Sequence, residues 1–276
     1  MTDSERGAAL EAIAAEIREC TRCRLHEQRA RAVPGEGSPD TEVVLVGEGP
    51  GRDENQAGRP FVGASGRLLT ELIESVGWRR DDVFITNVVK CWPPRNRDPQ
   101  PDEIAACAPY LRRQLEVLDP AVVVTAGKHS LGVFMPGERI GRVHGTSTPA
   151  DPATGARDAL VFAMYHPAFA LYDGSNRATL ETDIRGLPAT LLAARARREA
   201  AAAPSAGGQA AHDDPVEPVA GIDPAAAVPG LSAASEPAAA PERAAQPEPR
   251  TAPELAPSLM ATDQAGEPDA DQMTLF

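Results

Sequence analysis

The sequence predicts an α/β fold: a three-layer α/β/α domain around a central four-stranded parallel sheet, followed by a disordered C-terminal tail. Three observations carry this expectation. Four short apolar runs are near-continuous rather than alternating, as strands covered by helices on both faces must be. The segments between those runs repeat apolar residues at helical spacing. From about residue 200 the chain becomes Ala, Pro, Glu and Asp with almost no large apolar side chain before its last residues, too little to offset chain entropy.

The elements follow in order. "MTDSERGAALEAIAAEIREC" is an amphipathic helix pattern with neither a basic leader region nor a cleavage site. "EVVLVG" from Glu42 is the first strand. "SGRLLTELIESVGW" is the helix after it, with Ser65 as N-cap and an apolar face of Leu68, Leu69, Leu72, Ile73 and Val76. "DVFITN" from Asp82 is the second strand, and "PDEIAACAPYLRRQLEVL" the next helix. "AVVVTAG" from Ala121 and "ALVFAMY" from Ala159 are strands three and four. "NRATLETDIRGLPATLLAARARR" closes the domain, kinked at Gly186 and Pro188. This places a domain in residues 1–199 and the tail in 200–270.

Charge does not exclude nucleic acid. Residues 200–276 hold 12 acidic and 2 basic residues, a net −10 of the chain's −13, which leaves residues 1–199 near neutral. No run of 18 apolar residues occurs, so no membrane is expected and the location is cytoplasmic. Four cysteines in a reducing compartment are metal ligands, reactive groups or core residues rather than disulfides.

In open parallel sheets, ligands bind beyond the carboxyl ends of the strands. The residues there are "GEGPG" after strand one, Asn87 after strand two, "GKHS" after strand three and "YHPA" after strand four. The first of these opens the glycine-rich stretch "VLVGEGPGRDENQAGRPFVGASGRLL", from Val44 to Leu69. It is not a dinucleotide cradle, because Arg52 stands where the third glycine is needed, and it lacks the Gly-Lys-Ser/Thr of a phosphate loop. It serves either as a plain strand-to-helix turn or as a site built with Glu48, Asp53, Glu54, Asn55 and Phe61. Cys20 and Cys23 form C-x2-C, with Cys91 and Cys107 further on. On spacing, this set suits a zinc ion, an iron-sulfur cluster or an unligated core.

"GEGPGRDENQAGRPFVGASGRLL", "TNVVKCWPPRNRDPQPDEIAAC" and "HPA", with the cysteine set, resemble the type-4 uracil-DNA glycosylases, the iron-sulfur branch of the uracil-DNA glycosylase superfamily. The resemblance spans roughly residues 10–195. It implies an enzyme on uracil-containing DNA that flips uracil out and hydrolyses the N-glycosidic bond. Free uracil and an abasic site are left, and base excision repair begins. Cys20, Cys23, Cys91 and Cys107 are then the ligands of a [4Fe-4S] cluster, structural in role. Phe61 stacks on the flipped base, Asn87 reads its edge with one donor and one acceptor, and backbone near Gly49 contacts O2. His166 donates to O2 as negative charge develops there. Glu48 lines the pocket, and Glu54 positions the water or excludes the methyl of thymine. The sequence does not separate the two carboxylates.

Further expectations attach to the same resemblance. Lys90 and Lys128 are the only lysines and neither matches a nucleophile, so the enzyme is monofunctional, without a lyase step. Phe169, Leu171 or Tyr172 wedges into the vacated stack, and Arg95, Arg97, Arg142 and Arg177 face phosphates. The loop "KCWPPRNRDPQPDE" has no histidine of the kind with which a sister branch captures uracil-DNA covalently. His144 has no role. The alternatives are a broader-specificity glycosylase of the same superfamily and a non-catalytic sensor of damaged DNA.

The chain ends in "DQMTLF", residues 271–276. Gln272, Leu275 and Phe276 resemble the short Q-x-x-L-F peptides that dock on replication sliding clamps. Such an anchor on a long tether raises the local concentration of an otherwise monomeric enzyme at newly copied DNA.

Overall fold

All four apolar runs form strands, and they lie side by side. In a computed structural model, which describes residues 1–202, they become β1 (Val43–Gly47), β2 (Phe84–Asn87), β3 (Val122–Ala126) and a strand over Leu160–Met164. Every residue of the first three is buried. Residues 203–276, with the expected tail and its terminal peptide, lie outside the described residues.

The sheet has five strands rather than four, because a short edge strand, β4 (Ser147–Pro149), pairs antiparallel with β5 (Leu160–Met164). Its order is β2-β1-β3-β5-β4, and the four expected strands are mutually parallel. β4 escaped the sequence reading for a physical reason: it is three residues long, polar and largely exposed, and it carries a proline, which only an edge tolerates.

Successive residues of one strand feed opposite layers. Val44 and Val46 join α1 (Asp3–Arg18), α4 (Pro101–Leu118) and α5 (Lys128–Phe134) in one core. Val43 and Leu45 join α3 (Ala64–Ser75), α8 (Arg177–Arg185) and α9 (Leu187–Ala202) in the other. The short helices α2 (Arg52–Ala57), α6 (Ile140–Val143) and α7 (Phe169–Tyr172) sit in the connections.

Helix boundaries adjust three expectations. The cap of α3 is Gly63 rather than Ser65, so Ser65 is inside the first turn. The closing helix breaks between Arg185 and Leu187, where Gly186 stands two residues ahead of Pro188. α9 runs on to Ala202, three residues past the expected domain end.

The register aligns the carboxyl ends of the strands. Gly47 pairs with Asn87, Val46 with Thr125 and Ala126 with Met164. The residues that follow these strands therefore emerge on a single rim.

Candidate active site and four-cysteine centre

A cavity of about 240 Å³ opens at that rim. Glu48, Gly49, Glu54, Phe61, Asn87 and His166 all line it, so every predicted catalytic or base-binding residue meets in one cleft. Asp53 is exposed and takes no part, as a surface carboxylate. Asn55 is structural: its Oδ1 accepts the Ala30 N–H at 2.8 Å. Pro93, Asn96, Asp98 and Pro99 form one wall, which brings the loop after Cys91 to the mouth of the cleft.

Asn87 is 1% exposed, and its Oδ1 has no hydrogen-bond partner among the described residues. A buried unpaired carboxamide oxygen costs roughly 1–3 kcal/mol. A ligand donor entering the cleft would recover that cost.

Phe61 lies in the left-handed region at φ 50°, where a bulky residue is strained. Two neighbours hold it there. Glu54 is buried, and its Oε1 accepts the N–H groups of Val62 and Gly63, both at 2.9 Å. Gly66 lies so close to the Phe61 carbonyl that no side chain fits. The Phe61 ring then stands 5.5 Å from the His166 ring, 26° from parallel.

Gly47 is a residue that the sequence reading missed. A Cβ there would stand 2.6–2.7 Å from the Phe61 ring and collide with the Asn87 carboxamide. Its signal was present, since it heads the glycine-rich stretch, but the crowding comes from a neighbouring strand and a distant loop.

His166 follows β5, and its Nδ1 accepts the Ala168 N–H at 3.1 Å. The neutral ring therefore carries its proton on Nε2. Burial holds its pKa below the usual histidine value, while Glu48 and Glu54 pull the other way. The result is a neutral Nε2–H donor beside two carboxylates. Glu48 is itself fixed, its Oε1 accepting the His129 N–H at 3.0 Å at the start of α5. Asp98 pairs with Lys128 at 2.7 Å and with His129 Nε2 at 3.3 Å, tying the cysteine loop to the same helix.

The four cysteines also converge. Cys20, Cys23, Cys91 and Cys107 line one small cavity with Ile17, Leu25, Val89 and Tyr110. Burial pushes the Cys107 thiol up to about 11 and raises those of Cys23 and Cys91. A donor reaches one of the sulfurs: Arg29 Nη1 lies 3.2 Å from Cys91 Sγ.

Glu103, missed by the sequence reading, frames this centre. It is fully buried on α4 and accepts both Nη groups of Arg97, at 2.9 and 2.7 Å, with Arg24 Nε 3.7 Å away. The Arg97 hydrogen bonds hold its carboxyl below the usual range. It thus joins the Cys23 turn and the Cys91 loop to the helix that bears Cys107.

The phosphate-facing expectations divide. Arg97 is committed to Glu103, and Arg177 to Glu71 and Glu181 at 2.9 Å. Arg95 and Arg142 have no carboxylate partner among the described residues. Phe169 stacks on Tyr165, with centroids 4.3 Å apart, whereas Leu171 and Tyr172 are 51% and 64% exposed. His144 acquires partners: its Nδ1 lies 3.0 Å from Asp183 Oδ1, and its ring packs 4.8 Å from Tyr165.

A parallel-sheet domain with this polar rim is the setting that comparison with known proteins explains. The family model described as the uracil DNA glycosylase superfamily matches residues 34–185. Over 183 residues the chain is 48% identical to the type-4 uracil-DNA glycosylase of Sulfurisphaera tokodaii, covering 64% of this chain and 82% of the relative. The type-4 enzyme of Thermotoga maritima is 44% identical over 167 residues, 60% of this chain and 85% of the relative. The type-5 enzyme of Thermus thermophilus is 38% identical over 121 residues, 38% and 55% of the two chains. The chain therefore belongs to the uracil-DNA glycosylase superfamily, in its type-4 branch.

Proposed function

We propose that the protein extrudes uracil from DNA into the rim cleft and hydrolyses its N-glycosidic bond there with Asn87, Phe61, His166 and Glu48. Its family makes it a monofunctional uracil-DNA glycosylase, a hydrolase of N-glycosyl bonds; the roles of individual residues are our assignment. The observation that carries it is the buried, unpartnered Asn87 oxygen facing the same cavity as Phe61 and His166.

Extrusion costs a few kcal/mol of unstacking and unpairing. Stacking on Phe61, worth about 1–3 kcal/mol, offsets part of it. Asn87 Oδ1 accepts the uracil N3–H, and its amide donates to O4. Cytosine presents the reverse pattern and leaves the buried amide unsatisfied. As the glycosidic bond breaks, negative charge grows on O2, and the His166 Nε2–H is aimed at that charge.

The carboxylates take different tasks. Glu54 spends Oε1 on two amides of the Phe61 turn, which makes it the clamp of the stacking wall. Glu48 spends one oxygen on a single amide and keeps the other for the attacking water and the cationic sugar. Leu171 and Tyr172 fill the vacated stack, and Arg95 and Arg142 meet phosphates.

Cys20, Cys23, Cys91 and Cys107 hold a [4Fe-4S] cluster; their convergence on one small cavity and the Arg29 donor on Cys91 Sγ support it. When bound, the cluster supplies a rigid cross-link among the N-terminal segment, the Cys91 loop and α4. Docking of the terminal Gln272, Leu275 and Phe276 on a sliding clamp is a further part of the reading, as are a monomeric state and a DNA-associated, cytoplasmic location. No helix among the described residues is long and apolar enough to cross a membrane.

Product analysis tests the reaction. A uracil-containing oligonucleotide should yield free uracil and an alkali-labile abasic site, with no protein adduct after borohydride. A trapped adduct contradicts simple hydrolysis.

A further inference from the structure

We propose that Lys90 is a positioning residue for uracil recognition, holding Asn87 in place for the base and linking it to the four-cysteine centre. This rests on the reading of Asn87 as the residue that reads uracil. Lys90 is 1% exposed, an unusual place for an ammonium. Its three donors end on three oxygens: the Thr86 hydroxyl at 2.5 Å, the Asn87 carbonyl at 2.8 Å and Gln114 Oε1 at 2.7 Å.

The acceptors are themselves anchored. The Thr86 hydroxyl donates to the Pro34 carbonyl at 2.9 Å, and Gln114 Nε2 donates to the same oxygen at 2.8 Å. A closed ring of hydrogen bonds therefore joins the end of β2, helix α4 and the segment at Pro34, with the ammonium at its centre.

The main chain of Lys90 faces the other site. Its carbonyl accepts the Val33 N–H at 2.8 Å, it lines the four-cysteine cavity, and the next residue is Cys91. The side chain thus grips the backbone of Asn87 while the backbone is fixed at the cysteines. An apolar side chain of the same length would fill the space but exert no directional hold on the Asn87 carbonyl. That hold orients a carboxamide whose own oxygen has no protein partner.

Lys90→Met keeps the length and removes the donors, so it separates these contributions. In the full chain, the measurements are iron and sulfide per chain, and equilibrium binding of duplexes carrying 2′-fluoro-2′-deoxyuridine, which is non-cleavable, or 2′-fluoro-2′-deoxycytidine at one position. Lys90→Met should lower the preference for uracil over cytosine about tenfold, the size of one displaced hydrogen bond. In an Asn87→Ala background it should lower it no further, because its effect runs through Asn87. An unchanged preference, or equal losses in the two backgrounds, overturns the proposal. If Asn87→Ala itself keeps the preference, the base-reading assignment fails instead. Should Lys90→Met lose iron or fail to fold, Thr86→Val removes one acceptor without touching a cysteine. It should cost about threefold, and an unchanged preference there overturns the proposal equally.

Discussion

At His166 a single backbone contact selects the chemistry of the ring. The Ala168 N–H occupies Nδ1, which leaves Nε2–H for the substrate, and protonation would destroy that acceptor. Because burial depresses its pKa below 6.5, the unfolded chain takes up the proton first as pH falls. Stability from the neutral ring is therefore complete above pH 6.5 and drains away between 6.5 and the lower folded value. Urea midpoints at pH 7.5 and 5.5 should differ more for the wild type than for His166→Gln; equal differences contradict a buried neutral ring. Gly47→Ala should slow uracil release at least about tenfold and cost about 1–3 kcal/mol by overpacking against Phe61 and Asn87. Single-turnover kinetics and thermal melts check both. Asn87, Phe61 and His166 were legible in the sequence because each follows a strand or sits in a motif. Gly47, Lys90 and Glu103 were not, since each owes its role to partners on other elements.

At the scale of elements, the parallel strands were legible because burial on both faces leaves a continuous apolar run. β4 was not, because an exposed edge strand of three residues has no such signature. The two carboxylates could not be told apart from sequence, for their difference lies in how many amides each accepts. Variants should divide them. Glu54→Gln keeps an acceptor for the Val62 and Gly63 amides and should hold the thermal midpoint, whereas Glu54→Ala leaves both unpaired and should cost about 2–3 kcal/mol. Glu48→Gln should leave stability unchanged and slow the chemical step about 100-fold. A larger catalytic loss in Glu54→Gln than in Glu48→Gln would reverse the assignment. Cys91→Ser should reduce bound iron and lower the melting temperature, because the loop it anchors walls the cleft; iron retained at the wild-type ratio argues against this ligand set.

For the whole molecule, the described residues that line the cleft all lie between Glu48 and Tyr172. A chain ending at Ala202 should therefore excise uracil from a short oligonucleotide at the full-length rate. Capture of a sliding clamp by the last 15 residues should disappear with Leu275→Ala and Phe276→Ala, and capture that survives both changes would exclude the terminal peptide as the anchor. The central claim is that one rim cleft reads and releases uracil through Asn87 and His166. Its most direct test is the single-turnover rate of uracil release from a uracil-containing duplex by the wild type, Asn87→Ala and His166→Ala, with iron content matched. Release by the wild type, slowed about 100-fold or more by each substitution, is the predicted result; rates within a few-fold of wild type in both variants would contradict it.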